Sequence, residues 1–357
     1  MKVLVTGGSG FIGRYLSDYL ASRGHEVTGT YLSRAELSNR MPLHEAVTWV
    51  PLDVRDGAKV REVVERTRPD AVFHLAAQAY ANQSWKDPAD TFDTNILGTI
   101  YLYEALLKNP PSEGILLAAS ASAYGSGHPL PIAEDAPFRP INPYGVSKAS
   151  QELISYQYAH NFGMRIVRAR LFITTGPGKR GDALNDFAQQ VVAVERTGRP
   201  GELRVGNLET RRDISDVRDV VRAIWTVFES GEPDRPVNVG RGEACSIRWM
   251  AEQLCGQARV PVTIATDRAL FRPSDEPEIR ADVRRLAELG YAPQVGLDRT
   301  LRDALEYWRE DEGSPGSAEA KHAGRAPRRP SAGADSSPRD GPGRGSGRRR
   351  PSEPSRR

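Results

Sequence analysis

The sequence predicts an α/β protein: a doubly wound parallel sheet over residues 1–175, a smaller α/β region over 176–312, and a basic tail from 313 to 357. Three observations carry this. Short, nearly continuous apolar runs alternate with helical patterns from Met1 to about Arg170, the mark of parallel strands covered by helices on both faces. Beyond Gly176 the pattern becomes irregular. From Gly313 onward no Leu, Ile, Val or aromatic residue occurs, so that stretch cannot offset its ordering entropy by burial and is expected to be disordered.

Taken in order, "KVLVTG" reads as a buried strand that runs into Gly7, Gly8, Gly10 and Gly13, followed by the helical "RYLSDYLASRG". The second strand is "EVTGTY", a third ends at "PLDVRD", and "AKVREVVERTRP" is a helix before the strand "AVFHLAA". The helical "TNILGTIYLYEALLK", the strand "GILLAAS", a helix opening at "NPYGVSK" and the strand "RIVRARLF" complete the sheet. In the second region helices are expected over "NDFAQQVVAVERTG", "DVVRAIWTVFESG" and "SIRWMAEQLCGQA", with a strand pair around "LRVGN" and "RRDISD". Some of its elements are expected to interleave with the first region, and its place is at the carboxyl ends of the strands, where open α/β sheets bind ligands.

Charge is uneven along the chain. The tail holds eleven Lys and Arg against four acids, a local +7 in a chain of net +3, which leaves residues 1–312 at about −4. No zinc-finger spacing, aromatic platform or basic amphipathic helix accompanies that tail, so a nucleic-acid partner is not expected. The two cysteines, Cys245 and Cys255, match neither a disulfide framework nor a zinc ligand set, and a reducing cytoplasm fits them. No metal site is expected. The apolar run at the N-terminus is too short for a signal peptide or a membrane span.

The glycines at G-x-x-G-x-x-G spacing from Gly7, between a strand and a helix, let the backbone turn tightly and approach a pyrophosphate held at the helix N-terminus. Gly7, Gly10 and Gly13, with Phe11 and Ile12 opening the helix, are therefore candidate dinucleotide contacts, and the sheet is of the Rossmann type. At the end of the second strand an NAD site would present Asp or Glu to the ribose 2′-hydroxyl. Here stand Thr30, Tyr31, Ser33 and Arg34, and hydroxyls plus a guanidinium suit a 2′-phosphate. Thr30 and Arg34 are the candidate readers, NADP(H) is favoured, and NAD(H) remains open. Asp53, with Val54 beside it, is placed to receive the adenine.

Tyr144 and Lys148 in "NPYGVSK" lie four residues apart on one helical face, where an ammonium can sit beside a phenol. A free tyrosine, with a pKa of about 10, is too weak a base at neutral pH, and a nearby cation favours the phenolate. Tyr144 is thus a candidate proton shuttle, and Lys148 can also hold the nicotinamide ribose.

With "TGGSGFIG", "HLAAQ", "TNILGT", "SASAYG", "NPYGVSK", "RRDISDVRD" and "RPSDEP" in place, residues 1 to about 310 resemble the extended short-chain dehydrogenase/reductase family of nucleotide-sugar dehydratases, epimerases and reductases. Within it the chain looks most like the branch of GDP-mannose 4,6-dehydratases and GDP-4-keto-6-deoxymannose reductases, through "QAYANQSWKDP", "DFAQQVV" and "VGNLETRRDISDVRDVV". The resemblance implies that Ser120 completes a Ser/Tyr/Lys triad and that Leu75, Ala76 and Ala77 touch the cofactor. It also implies that Ser84, Ser122, Val205, Asn207, Arg212, Arg272 and Asp275 surround a nucleotide-sugar substrate, and that the protein is a homodimer through the helices carrying "NILGTIYLYEALL" and Tyr144.

Dehydratases of the branch carry Asp or Glu beside the catalytic Ser or Thr; here Ala121 and Ser122 stand at those places, so a 4,6-dehydratase is disfavoured. Hydride transfer at C4 needs no such acid. A 4-keto-sugar reductase, acting on a GDP-linked substrate, is the first expectation and an epimerase the second, since a small hydroxyl in place of Ser122 is similar to galactose-type epimerases. A third reading is a catalytically silent binding protein. Ile173 and Thr174, where the branch usually shows Asn and His, point to a substrate that differs from the branch's usual one.

Overall fold

In the computed structural model, residues 1–37, 44–271 and 276–311 are described. The first half alternates as the sequence predicts: β1 (Lys2–Thr6), α1 (Phe11–Ser22), β2 (Glu26–Tyr31), the short α2 (Arg34–Leu37), β3 (Thr48–Pro51), α3 (Gly57–Thr67) and β4 (Ala71–His74). Then come α4 (Ala81–Lys86), α5 (Pro88–Phe92), a π-helical turn (Asp93–Leu97), α6 (Gly98–Leu107), β5 (Gly114–Ser120), α7 (Pro143–Phe162) and β6 (Ile166–Leu171). Side chains alternate across each strand, so Val3 and Val5 face one apolar layer with α1, while Leu4 faces the other with α3 and α6.

The second half contributes β7 (Ile173–Thr175), α8 (Ala183–Thr197), β8 (Gly201–Val205), β9 (Arg211–Asp216), α9 (Val217–Ser230), β10 (Val237–Val239), β11 (Ala244–Ser246) and α10 (Ile247–Gly256). It ends with β12 (Val262–Thr266), β13 (Glu278–Ile279), α11 (Arg284–Glu288) and α12 (Leu297–Glu310). The main sheet has seven parallel strands in the order β10-β6-β5-β4-β1-β2-β3. The order reverses between β1 and β4, and a crevice opens there at the strand ends.

The second half also contributes to the main sheet: β10 pairs with β6 as its edge strand, and α9 packs into the same apolar layer as α1. One expectation needs correction. The strands of "LRVGN" and "RRDISD" do not pair with each other. β8 pairs in parallel with β12, whereas β9 lies among β7, β11 and β13. The five residues joining β8 to β9 include buried Leu208 and Thr210, so the link is packed into the fold and is not a hairpin turn. A separate apolar cluster joins α8, α10 and α12 to these strands.

The tail from 313, expected to be disordered, lies outside the described residues. Among the described residues no helix is long and apolar enough to cross a membrane, and both cysteines are free thiols.

Candidate active site

The glycine loop sits in the crevice between β1 and β4. Gly7 takes φ +68°, and a Cβ there would lie 2.7 Å from the Ala76 nitrogen; a Cβ on Gly13 would lie 2.2 Å from the Gly7 carbonyl oxygen. Neither position has room for a side chain. The loop thus folds tightly onto Leu75 and Ala76, whose N–H groups donate to the Thr6 carbonyl (3.1 Å) and hydroxyl (3.3 Å). Ala77 follows directly in the same segment. Gly10 caps α1 with no side-chain hydrogen bond, and the first turn, opened by Phe11 and Ile12, contains no acid. That helix start fits an anionic pyrophosphate.

The adenosine end differs from expectation. Thr30 is buried, and its hydroxyl accepts a 3.0 Å hydrogen bond from the Gly7 N–H, so it shapes the loop and has no free face for a 2′-phosphate. Arg34 is exposed on α2. Asp53 receives a two-pronged contact from Arg55, which also bridges to Asp90, and Val54 is buried against Gly98. A residue that reading by position missed is Glu36: its Oε2 accepts from the Ser9 hydroxyl at 2.6 Å and from the Leu32 N–H at 3.1 Å. It lies five residues beyond the end of β2, where no strand-end rule looks for an acid.

Ser120, Tyr144 and Lys148 lie together at the end of β5. Ser120 ends β5, and its hydroxyl accepts from the Ser122 N–H at 3.2 Å as the chain turns. Asn142 caps α7 by accepting from the Gly145 N–H at 2.8 Å. Gly145 has no side chain to hold the helix away: a Cβ there would lie 2.4 Å from the Ser122 carbonyl oxygen. This close approach brings Tyr144 near enough to Ser120 for that hydroxyl to act on its titration. Burial raises the Tyr144 pKa, and the Ser120 hydroxyl opposes that rise.

Lys148 is buried and donates to the Ala118 carbonyl at 2.9 Å, with its ammonium 6.0 Å from the centre of the Tyr144 ring. Burial lowers its pKa to about 8, against the opposing charge of Glu152 one turn along α7. Desolvation is the larger influence on the Tyr144 pKa, and the Lys148 ammonium is anchored on β5.

A buried polar network that sequence reasoning passed over fixes these parts to one another. Thr6, directly before Gly7, donates to His74 Nδ1 at 2.7 Å; His74 Nε2 donates to the Thr99 hydroxyl at 2.9 Å, which in turn donates to the Asn95 carbonyl. These partners define the neutral Nε2–H tautomer, and burial beside Lys148 lowers the His74 pKa to about 3. Asn95 sits in the π-helical turn and donates to the Ser147 hydroxyl at 2.8 Å, tying that turn to α7. "TNILGT" was the signal for it.

The candidate substrate contacts fare unevenly. Ser122 stays in the turn beside Ser120. Ser84 is fully buried and donates to the Ala81 carbonyl of its own helix, and Val205 is a core side chain of the second region, so neither presents its side chain to the crevice. Asn207 accepts from the Glu209 N–H, shaping the turn after β8. The Arg212 guanidinium donates to the carbonyls of Arg211 and Glu276. Arg272 and Asp275 lie outside the described residues. Tyr124, in the hydroxyl-rich run, is a core residue: it donates to Asn238 and accepts from Arg170, and burial pushes its pKa up to about 12.

The family model for GDP-mannose 4,6 dehydratase matches residues 4–304. A GDP-6-deoxy-D-mannose reductase of Pseudomonas aeruginosa is 31% identical over 315 residues, covering 86% of this chain and 97% of the relative. The solved structure of RMD from the same organism, complexed with NADPH, superimposes with a TM-score of 0.74 at 30% identity, covering 87% of this chain and 99% of the other. A UDP-glucose 4-epimerase of Thermus thermophilus in complex with NAD gives a TM-score of 0.74 at 29% identity, covering 87% and 100%. The chain therefore belongs to the GDP-mannose 4,6 dehydratase family, among the NAD(P)-dependent nucleotide-sugar enzymes of the extended short-chain dehydrogenase/reductase type.

Proposed function

We propose that this enzyme reduces the 4-keto group of a GDP-linked 6-deoxyhexose of the 4-keto-6-deoxymannose type. The observation that carries this reading is the placing of Tyr144 beside Ser120, with Lys148 anchored on the same strand and no carboxylate in the turn of Ala121 and Ser122. A bound nicotinamide supplies the hydride. Ser120 holds the carbonyl oxygen, and Tyr144 gives its proton to that oxygen as the alcohol forms, with Lys148 restoring charge balance. A phenol whose pKa is raised keeps its proton at neutral pH, which suits a donor in the reductive direction. The absent acids remove the means of eliminating water across C5 and C6, so the family's name need not describe this member's reaction.

Gly7, Gly10, Phe11, Ile12 and Gly13 would hold the pyrophosphate, with Leu75, Ala76, Ala77 and Val54 along the crevice. Arg212, with Arg272 and Asp275 by resemblance, would meet the nucleotide end of the substrate. Pairing in solution through α6 and α7 is part of the same reading, supported by exposed Tyr101, Leu153, Tyr156 and Phe162 on those helices.

An epimerase is the second reading, favoured by Ser122 beside Ser120 and by the likeness to the Thermus enzyme. Cofactor stoichiometry separates them. With GDP-4-keto-6-deoxymannose the reductase oxidises one NADH or NADPH per product. An epimerase would instead convert a sugar nucleotide with no net change in nicotinamide absorbance.

A further inference from the structure

We propose that Glu36 accepts the 2′-hydroxyl of the adenosine ribose and thereby selects NAD(H) over NADP(H), an assignment that rests on the crevice of Gly7–Gly13 being the dinucleotide site. The sequence favoured the opposite choice from Thr30 and Arg34. Thr30 is buried under the glycine loop, accepting from the Gly7 N–H, and Arg34 is an exposed side chain of the four-residue α2.

Glu36 is fixed on both its main chain and its carboxylate. Arg14, buried in the first turn of α1, donates from Nε to the Ser9 carbonyl at 2.9 Å and from Nη2 to the Glu36 carbonyl, stapling α2 to the loop. The Glu36 carboxylate then takes the Ser9 hydroxyl and the Leu32 N–H on the single oxygen Oε2. Ser9 lies between Gly8 and Gly10, inside the turn, and its own N–H donates to the Thr30 carbonyl at 3.0 Å. A negative charge is thus held one hydrogen bond from the glycine loop, at the carboxyl end of β2.

A dinucleotide whose pyrophosphate lies at the start of α1 passes its adenosine ribose over that same strand end. A carboxylate there can accept a ribose hydroxyl in a charge-assisted bond. A 2′-phosphate, carrying up to two negative charges, would meet that carboxylate as a like charge, and the Arg14 guanidinium beside it is buried and committed to the Ser9 and Glu36 carbonyls. The usual acid stands on the strand end itself; here the preceding residues are Tyr31, Leu32 and Ser33, and α2 folds back to deliver the charge.

The test is calorimetric titration of the wild-type protein and Glu36→Gln with NAD+ and NADP+, with no turnover required. We expect wild type to bind NAD+ at least about tenfold more tightly than NADP+. Glu36→Gln should compress or invert that ratio by roughly 10- to 100-fold, the scale of one hydrogen bond to a charged group. Tighter binding of NADP+ by wild type, or a ratio within about threefold of wild type in a folded Glu36→Gln protein, would overturn the assignment of Glu36 while leaving the crevice as the cofactor site. Binding of neither dinucleotide by wild type would overturn both. If Glu36→Gln does not fold, the wild-type ratio alone decides.

Discussion

The crevice between β1 and β4 and the region of α8, α10 and α12 are built on different principles. At the crevice the backbone does the positioning: Gly7, Gly13 and Gly145 stand where a Cβ would strike main-chain atoms, and each lets two segments touch. In the second region side chains bind segments far apart in sequence. Asp213, buried in β9, accepts from the N–H groups of Arg241, Gly242 and Ala281, and Trp308 on α12 donates to Asn185 on α8. Backbone-built sites announce themselves through glycine spacing; sites built from distant side chains do not.

This contrast can be tested from its strongest consequence downward. Tyr144→Phe should lower turnover by a factor of about 100 or more with cofactor affinity nearly unchanged, since it removes a proton and little contact surface. Turnover within threefold of wild type would remove Tyr144 from the chemistry. Gly145→Ala should cost roughly 10- to 100-fold in turnover by forcing α7 off the Ser122 carbonyl and Tyr144 off Ser120, without touching either reacting group. A crevice that tolerates this methyl would show that its backbone contacts are less exacting than they look.

On the other side of the comparison, Asp213→Ala should lower stability by about 3 kcal/mol, because it strands three backbone donors, two of them on the link after β10. Chemical denaturation reads this directly. Turnover per folded molecule should change far less than in Gly145→Ala, and an equal loss of both would blur the distinction between the two regions.

Lys148 adds a pH signature to the crevice. Its pKa falls from 10.5 to about 8 on folding, so between those values the unfolded chain binds more protons and stability from this group rises with pH. Below pH 8 both states are charged and the cost of burying the ammonium is present in full. The stability of wild type relative to Lys148→Met should therefore improve from pH 8 to 10.5, as measured by denaturation midpoints; a flat difference would mean that the ammonium is not desolvated. The smallest effect belongs to Ser84→Ala, which should leave KM within about twofold because that hydroxyl serves its own helix. A tenfold rise would restore Ser84 as a substrate contact.

The legible parts of the molecule follow from the same physics. The strands of the main sheet up to β6, the glycine loop and the Tyr144/Lys148 spacing could be read because each depends on local periodicity or on residues a few positions apart. β10 could not: three residues, Val237–Val239, carry no period of their own and become a strand only because β6 leaves an edge for them. Glu36 was hidden by a two-part arrangement, a short helix and a staple from Arg14, neither visible in spacing. At Ser84 and Val205 a motif match names positions whose side chains the fold turns inward. Thr30 has the right chemistry for an anion but is buried, where its oxygen accepts from the Gly7 N–H.

The placement of β10 also bears on how the chain is made. The polypeptide leaves the main sheet at Leu171 and re-enters it at Val237, about 65 residues later. At ribosomal speeds of about 5–20 residues per second, the edge of β6 waits roughly 3–13 seconds for its neighbour. During that interval its free N–H and C=O groups form an open template for pairing with another chain. α9, which covers the same side of the sheet as α1, is also still emerging. The nascent protein therefore passes through a window in which its dinucleotide crevice is already encoded but its sheet has an unguarded rim, and slowing translation within residues 172–236 should increase aggregation more than slowing it after residue 240.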